Sequence, residues 1–125
     1  MPFVTPTRFP HHRLDAYAQA LELLRLTKLL ADQLPAGYAS FHSQMLRSAG
    51  SVVLNTGEGA NARTRGEKRN AFGIARKEAG ETACAAEAVA LMGLVAKADA
   101  VAVIQTADRV AGILTGLLNR LEEPR

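Results

Sequence analysis

Six of the chain's fifteen basic residues fall in one short stretch: Arg63, Arg65, Lys68, Arg69, Arg76 and Lys77, interrupted by Glu67 alone among acids. Arginine and lysine gathered this way can hold the phosphates of RNA or DNA by charge and hydrogen bonding. On a helix, 65 and 69 are one turn apart and 76 lies about two turns further, so Arg63, Arg65, Lys68, Arg69 and Arg76 can share one surface. The competing reading is a solvated helix face or a set of intersubunit salt bridges. Tryptophan is absent and aromatics make up only 5% of the chain, so a base-stacking platform is not expected and contacts would go to phosphates. The net charge of +3 is modest, and such a patch gains strength mainly if several chains assemble.

The other residues that could do chemistry are scattered. Asn55-Thr56-Gly57-Glu58-Gly59-Ala60-Asn61 contains a G-x-G, but no strand precedes it and no Gly-Lys-Ser/Thr follows, which excludes a nucleotide loop. Asn55 and Glu58, three apart, share a helix face and can bond inward or pair with Arg63 or Arg76, making Asn55, Glu58 and Gly59 a structural turn. An ionised Glu58 near a helix start is also favoured by the amide dipoles there. His11, His12 and His42 are dispersed, and no Glu-x-x-His motif of a di-iron bundle occurs. Cys84, the only cysteine, sits in an alanine-rich run with no histidine nearby and reads as a small core residue. No catalytic, metal or cofactor site is therefore expected, and the protein is read as a non-enzyme.

These residues must be carried by helices. Residues 1–12 hold three prolines and read as an extended arm, followed by a single domain over 13–123. Leu14, Tyr17, Leu21 and Leu24 recur at helical spacing, flanked by Ala20, Leu23, Leu26 and Leu30, and predict a first helix from Arg13 to Leu34, stopped by Pro35 and Gly37. Ser40 offers an N-cap for a second helix carrying Phe41, Met45, Ala49, Val52 and Thr56 and ending near Asn61. Thr64 and Glu67 form a T-x-x-E capping box for the third, whose inner line of Phe72, Ala75, Ala79, Thr82, Ala86, Val89 and Gly93 predicts an end between Val95 and Ala98. Asp99 is the expected cap of a fourth helix lined by Val103, Ala107, Val110, Leu114, Leu117 and Leu121.

No strand pattern competes, so the fold class is all-α, and four helices with short loops favour an antiparallel up-down-up-down bundle. The apolar runs are broken by charges short of the roughly 18 residues that cross a bilayer, and no signal-peptide core is present. One cysteine and no export signal point to a reducing cytoplasm. Leu23, Leu26 and Leu30, with Val101, Ile104 and Leu118, widen two apolar faces beyond one core and suggest self-association.

Taken in order, the residues resemble the four-helix-bundle proteins encoded in intervening sequences of 23S ribosomal RNA genes, relatives of the accessory proteins of diversity-generating retroelements. The likeness rests on Leu14-Asp15-Ala16-Tyr17 and Ala20-Leu21-Glu22-Leu23, then on Gln44, Arg47, Ser48, Ala49 and Ser51. It is strongest at Asn55, Glu58, Gly59 and Arg63, which look like that family's N-x-x-E-G turn with a trailing arginine, and at Lys68, Phe72, Ala75, Arg76 and Glu81. Thr56 and Gly57 stand where an Ile-Ala pair is usual, and Ala60 to Ala62 alter the turn. The resemblance implies a homopentamer and no known enzymatic activity. In the retroelement branch it also implies binding of reverse transcriptase and nucleic acid through a basic surface.

Overall fold

The computed structural model describes residues 7–124. Residues 1–6 of the expected arm lie outside the described residues. The rest of the arm is not extended: Pro10–Arg13 forms a 3-10 turn. Proline occupies its first position, where a missing amide hydrogen costs nothing. The Thr7 backbone N–H donates to His12 Nδ1 at 3.1 Å, and His11 packs edge-on against Tyr17 with ring centroids 4.6 Å apart.

Four helices follow: α1 Asp15–Ala31, α2 Ala39–Asn61, α3 Arg65–Leu91 and α4 Lys97–Glu122. Each flanks its chain neighbours, α1 also flanks α4, and α1 stands diagonally opposite α3. Cross-helix pairs run in opposite order along adjacent helices. Ser48 meets Thr82 while Gly59 meets Phe72, and Arg76 meets Thr115 while Arg65 reaches Leu121. The bundle is therefore antiparallel, as short connections dictate.

The helix ends show which local signals govern. The Thr64–Glu67 capping box forms as read, each side chain meeting the other's backbone amide. α1 stops at Ala31, three residues before Leu34, and unwinds through single-turn hydrogen bonds from Gln33 and Leu34. α2 starts at Ala39 after Tyr38, with no side-chain cap, so Ser40 lies inside the first turn and is not the N-cap. α3 ends at Leu91, short of Val95. Gly93 takes φ +73°, and Leu94 and Gly93 donate to the Val89 and Ala90 carbonyls, a paired closure that needs a residue free to enter the left-handed region. Asp99 does not cap α4, which begins after Ala96. Instead Gln33, just past the end of α1, accepts the Ala96 N–H and donates to Asp99, both at 2.8 Å.

The core is built from α1 Ala16, Ala20, Leu23 and Leu30, α2 Met45, Ala49 and Val52, α3 Phe72, Ala75, Ala79, Ala86 and Val89, and α4 Val103, Val110 and Leu114. On α1 the ranking expected from sequence is reversed. Leu23 and Leu30 are fully buried, while Leu14, Tyr17, Leu21 and Leu24 are half-buried. Alanines at 16 and 20 let α1 turn that face inward and approach closely, so Leu23 and Leu30 do not belong to a spare apolar surface. Cys84 is exposed, not core. Two residues beyond buried Thr82, it is rotated about 200° away on the helix. By length and composition α4 is apolar enough to cross a bilayer, contrary to the expectation that no run qualifies. It carries Asp108 and Arg109 at mid-length, and its Val103, Val110 and Leu114 side are packed within the bundle.

Candidate nucleic-acid interface

The helix 2 to helix 3 corner divides its cations into two kinds. Arg65, the first residue of α3, reaches across to the end of α4 and donates to the Leu121 and Glu123 carbonyls. Lys68, one turn on, donates to the Gly59 and Ala60 carbonyls at 3.0 and 3.1 Å and so closes the end of α2. A helix leaves its last carbonyls unpaired and partially negative, so a cation there supplies both the hydrogen bond and the favourable charge. Both side chains are half-buried and committed to structure.

Arg63, Arg69, Arg76 and Lys77 are exposed. Arg69 lies 3.8 Å from the Glu122 carboxylate, a loose pair between exposed side chains of the kind worth little in water. Arg76 does not turn toward Glu58. Its Nε donates to Thr115 Oγ1 at 2.6 Å, leaving its charge unbalanced by that neutral partner. Arg69 and Arg76 are seven residues apart, roughly 10 Å along the axis. Gly73 between them carries no side chain to cover the line.

Of the turn residues, Gly59 does the positioning. It is buried in the last turn of α2, and a Cβ there would lie 2.6 Å from the Phe72 ring of α3. Asn55 does not hold the turn: its amide donates to the Ser51 carbonyl and hydroxyl on its own helix. Glu58 is exposed and lines a shallow hollow with Asn61, Glu67 and Asn70. The hydrogen bonds that close the end of α2 come from Lys68 and from Asn61, which donates to the Gly57 carbonyl.

Arg47 and Ser48, which no local sequence pattern explains, join α2 to α3. Arg47 spans from α2 to two carboxylates of α3, Glu78 at 3.4 Å and Glu81, with Gln44 accepting its Nε hydrogen at 2.9 Å. Glu78 is largely buried, so this arginine compensates a charge withdrawn from water. Beneath it the Ser48 and Thr82 hydroxyls bond at 2.8 Å within the core. The glutamates at 78 and 81, three apart on α3, were the available signal. Their match to position 47 emerges only once the antiparallel register is known.

Among the described residues, no three His, Cys, Asp or Glu side chains gather as a metal site would need. Residues 12–116 match the family model described as 23S rRNA-intervening sequence protein. Among solved structures, the chain is similar to a protein of unknown function from the S23 ribosomal protein family of Bacteroides thetaiotaomicron. The two are 22% identical with a TM-score of 0.74, over 83% of this chain and 95% of that one, a likeness of fold. No curated protein matches the chain.

Proposed function

Because the chain belongs to the 23S rRNA-intervening sequence protein family, we propose that it is a non-enzymatic, self-associating bundle that holds nucleic-acid phosphates on the exposed surface of α3. The observation that carries this reading is the division of the basic cluster. Arg65 and Lys68 are engaged at helix ends, whereas Arg63, Arg69, Arg76 and Lys77 project into solvent, and among the described residues their one carboxylate partner is Glu122, 3.8 Å from Arg69. The contact set is thus narrower than the sequence suggested, and it is sequence-tolerant, because phosphate contacts carry no base information.

Self-association is supported by large apolar side chains left in water on the outer faces: Leu54 is 74% exposed and Leu91 89%. A pentamer is favoured by the family resemblance. Five chains at +3 each give an assembly near +15, enough to attract a polyanion that one chain attracts weakly. A reverse transcriptase as partner, and the cytoplasm as the place of action, rest on that resemblance and on cysteine usage respectively.

The deciding experiment is RNA and single-stranded DNA binding across a salt series, for wild type and for an Arg69→Ala, Arg76→Ala, Lys77→Ala triple variant. With about 0.7 in log-log slope for each phosphate contact on single strands, the variant's slope is shallower by about 2. Absence of wild-type binding at low salt, or an unchanged slope and affinity in the folded variant, leaves a protein-interaction scaffold in its place.

A further inference from the structure

The end of the bundle where α1 begins and α4 stops holds an open hollow of about 400 Å3, within the size range of small-molecule sites. Its walls divide by chemistry: Leu14, Phe72, Leu117 and Leu121 supply an apolar surface, and Arg65, Lys68 and Arg120 supply three positive charges. Among the described residues, no acidic side chain lines it. The carbonyls that engage Arg65 and Lys68 are neutral acceptors, so neither cation is neutralised by them. Those bonds use one terminal nitrogen of Arg65, and the arginine fork carries further N–H groups. Arg120 is exposed and bonds none of the described residues through its guanidinium. Three cations beside an apolar wall suit a ligand that carries both an anionic head and an apolar body.

We infer that this cavity binds a small amphipathic organic anion, its head on Arg65, Lys68 and Arg120 and its apolar body against Leu14, Phe72, Leu117 and Leu121. A phosphate monoester and a carboxylate share this chemistry. The site stands apart from the α3 surface proposed for nucleic acid, since Arg63, Arg69, Arg76 and Lys77 do not line it.

The test is a backbone amide NMR titration of the full chain with four probes: phenyl phosphate, 3-phenylpropionate, phenol and inorganic phosphate. One or both organic anions should give saturable shifts centred on Leu14, Phe72 and Leu117, at least tenfold tighter than phenol or inorganic phosphate, and the tighter of the two identifies the head group. Arg120→Gln, a change at an exposed position, should weaken the anion about tenfold, leave phenol unaffected, and leave the salt dependence of nucleic-acid binding unchanged. The inference is overturned if neither anion saturates, if phenol binds as tightly as the anions, or if Arg120→Gln binds them like wild type.

Discussion

The last turn of α2 passes so close to α3 that the Gly59 Cα faces the ring of Phe72, where an added Cβ would sit 2.6 Å from two ring carbons. Phe72 is buried, so an added Cβ must displace its ring from a packed position. Gly59→Ala therefore loses more through the forced shift of the ring, about 1–3 kcal/mol, than it gains in helix propensity, at most about 1 kcal/mol. Chemical denaturation should give a net loss of about 1 kcal/mol. A variant as stable as wild type would mean that the two helices separate readily at this point.

Arg47 should matter to stability far more than an exposed arginine usually does. Arg47→Ala leaves Glu78 largely buried without its cation, at a cost of about 1–3 kcal/mol. Glu81→Ala, which removes an exposed partner, should cost less than about 1 kcal/mol. Equal losses in the two variants would contradict the assignment of Glu78 as the carboxylate that needs Arg47.

The beginning of the α1–α2 connection has its own titration signature. Asp32 is held below its ordinary value of 3.8 first by hydrogen bonding to Lys28 and then by hydrogen bonding to His42, which lies at 3.1 Å. A carboxyl depressed in the folded state adds stability above its unfolded value and loses it as pH falls through the folded one, so the contribution disappears only on the acid side. Carboxyl-carbon NMR should show Asp32 titrating below 3.8, with Lys28→Ala raising it more than His42→Ala. The reverse order would assign the main interaction to the histidine.

Self-association should depend on the side chains left most exposed. Leu54→Glu and Leu91→Glu replace highly exposed side chains of α2 and α3, so helicity and melting should change little. Multi-angle light scattering should find the wild type near five chains and at least one variant shifted to smaller species. A wild-type monomer at all concentrations would remove the pooled charge on which the nucleic-acid reading draws.

What the sequence disclosed follows from the range of the interactions involved. The Thr64–Glu67 box was legible because both partners lie within four residues, and the α4 line because a single stripe of branched side chains dominates its helix. The α1 face was misplaced since leucines cover most of that helix and the deciding residues are alanines, whose weight lies in how closely another helix can approach. Arg65 and Lys68 looked like free cations. Their acceptors are carbonyls, which no side chain advertises, and for Arg65 those carbonyls are 56 and 58 residues away in the chain. Cys84 was placed inside by its alanine neighbours, although its angular position relative to Thr82 turns it outward.

The reach of Arg65 and Lys68 has a dynamic consequence. Helix ends ordinarily fray one by one, each opening at its own small free energy. Here the first turn of α3 supplies the hydrogen bonds that terminate both α2 and α4, so none of the three ends can loosen without releasing a bond held by another. Amide exchange at the close of α2, the start of α3 and the close of α4 should then proceed as one concerted opening. The opposite end is joined by separate bonds, Gln33 to Ala96 and Asp99 and Asp32 to His42, and should open independently of this one.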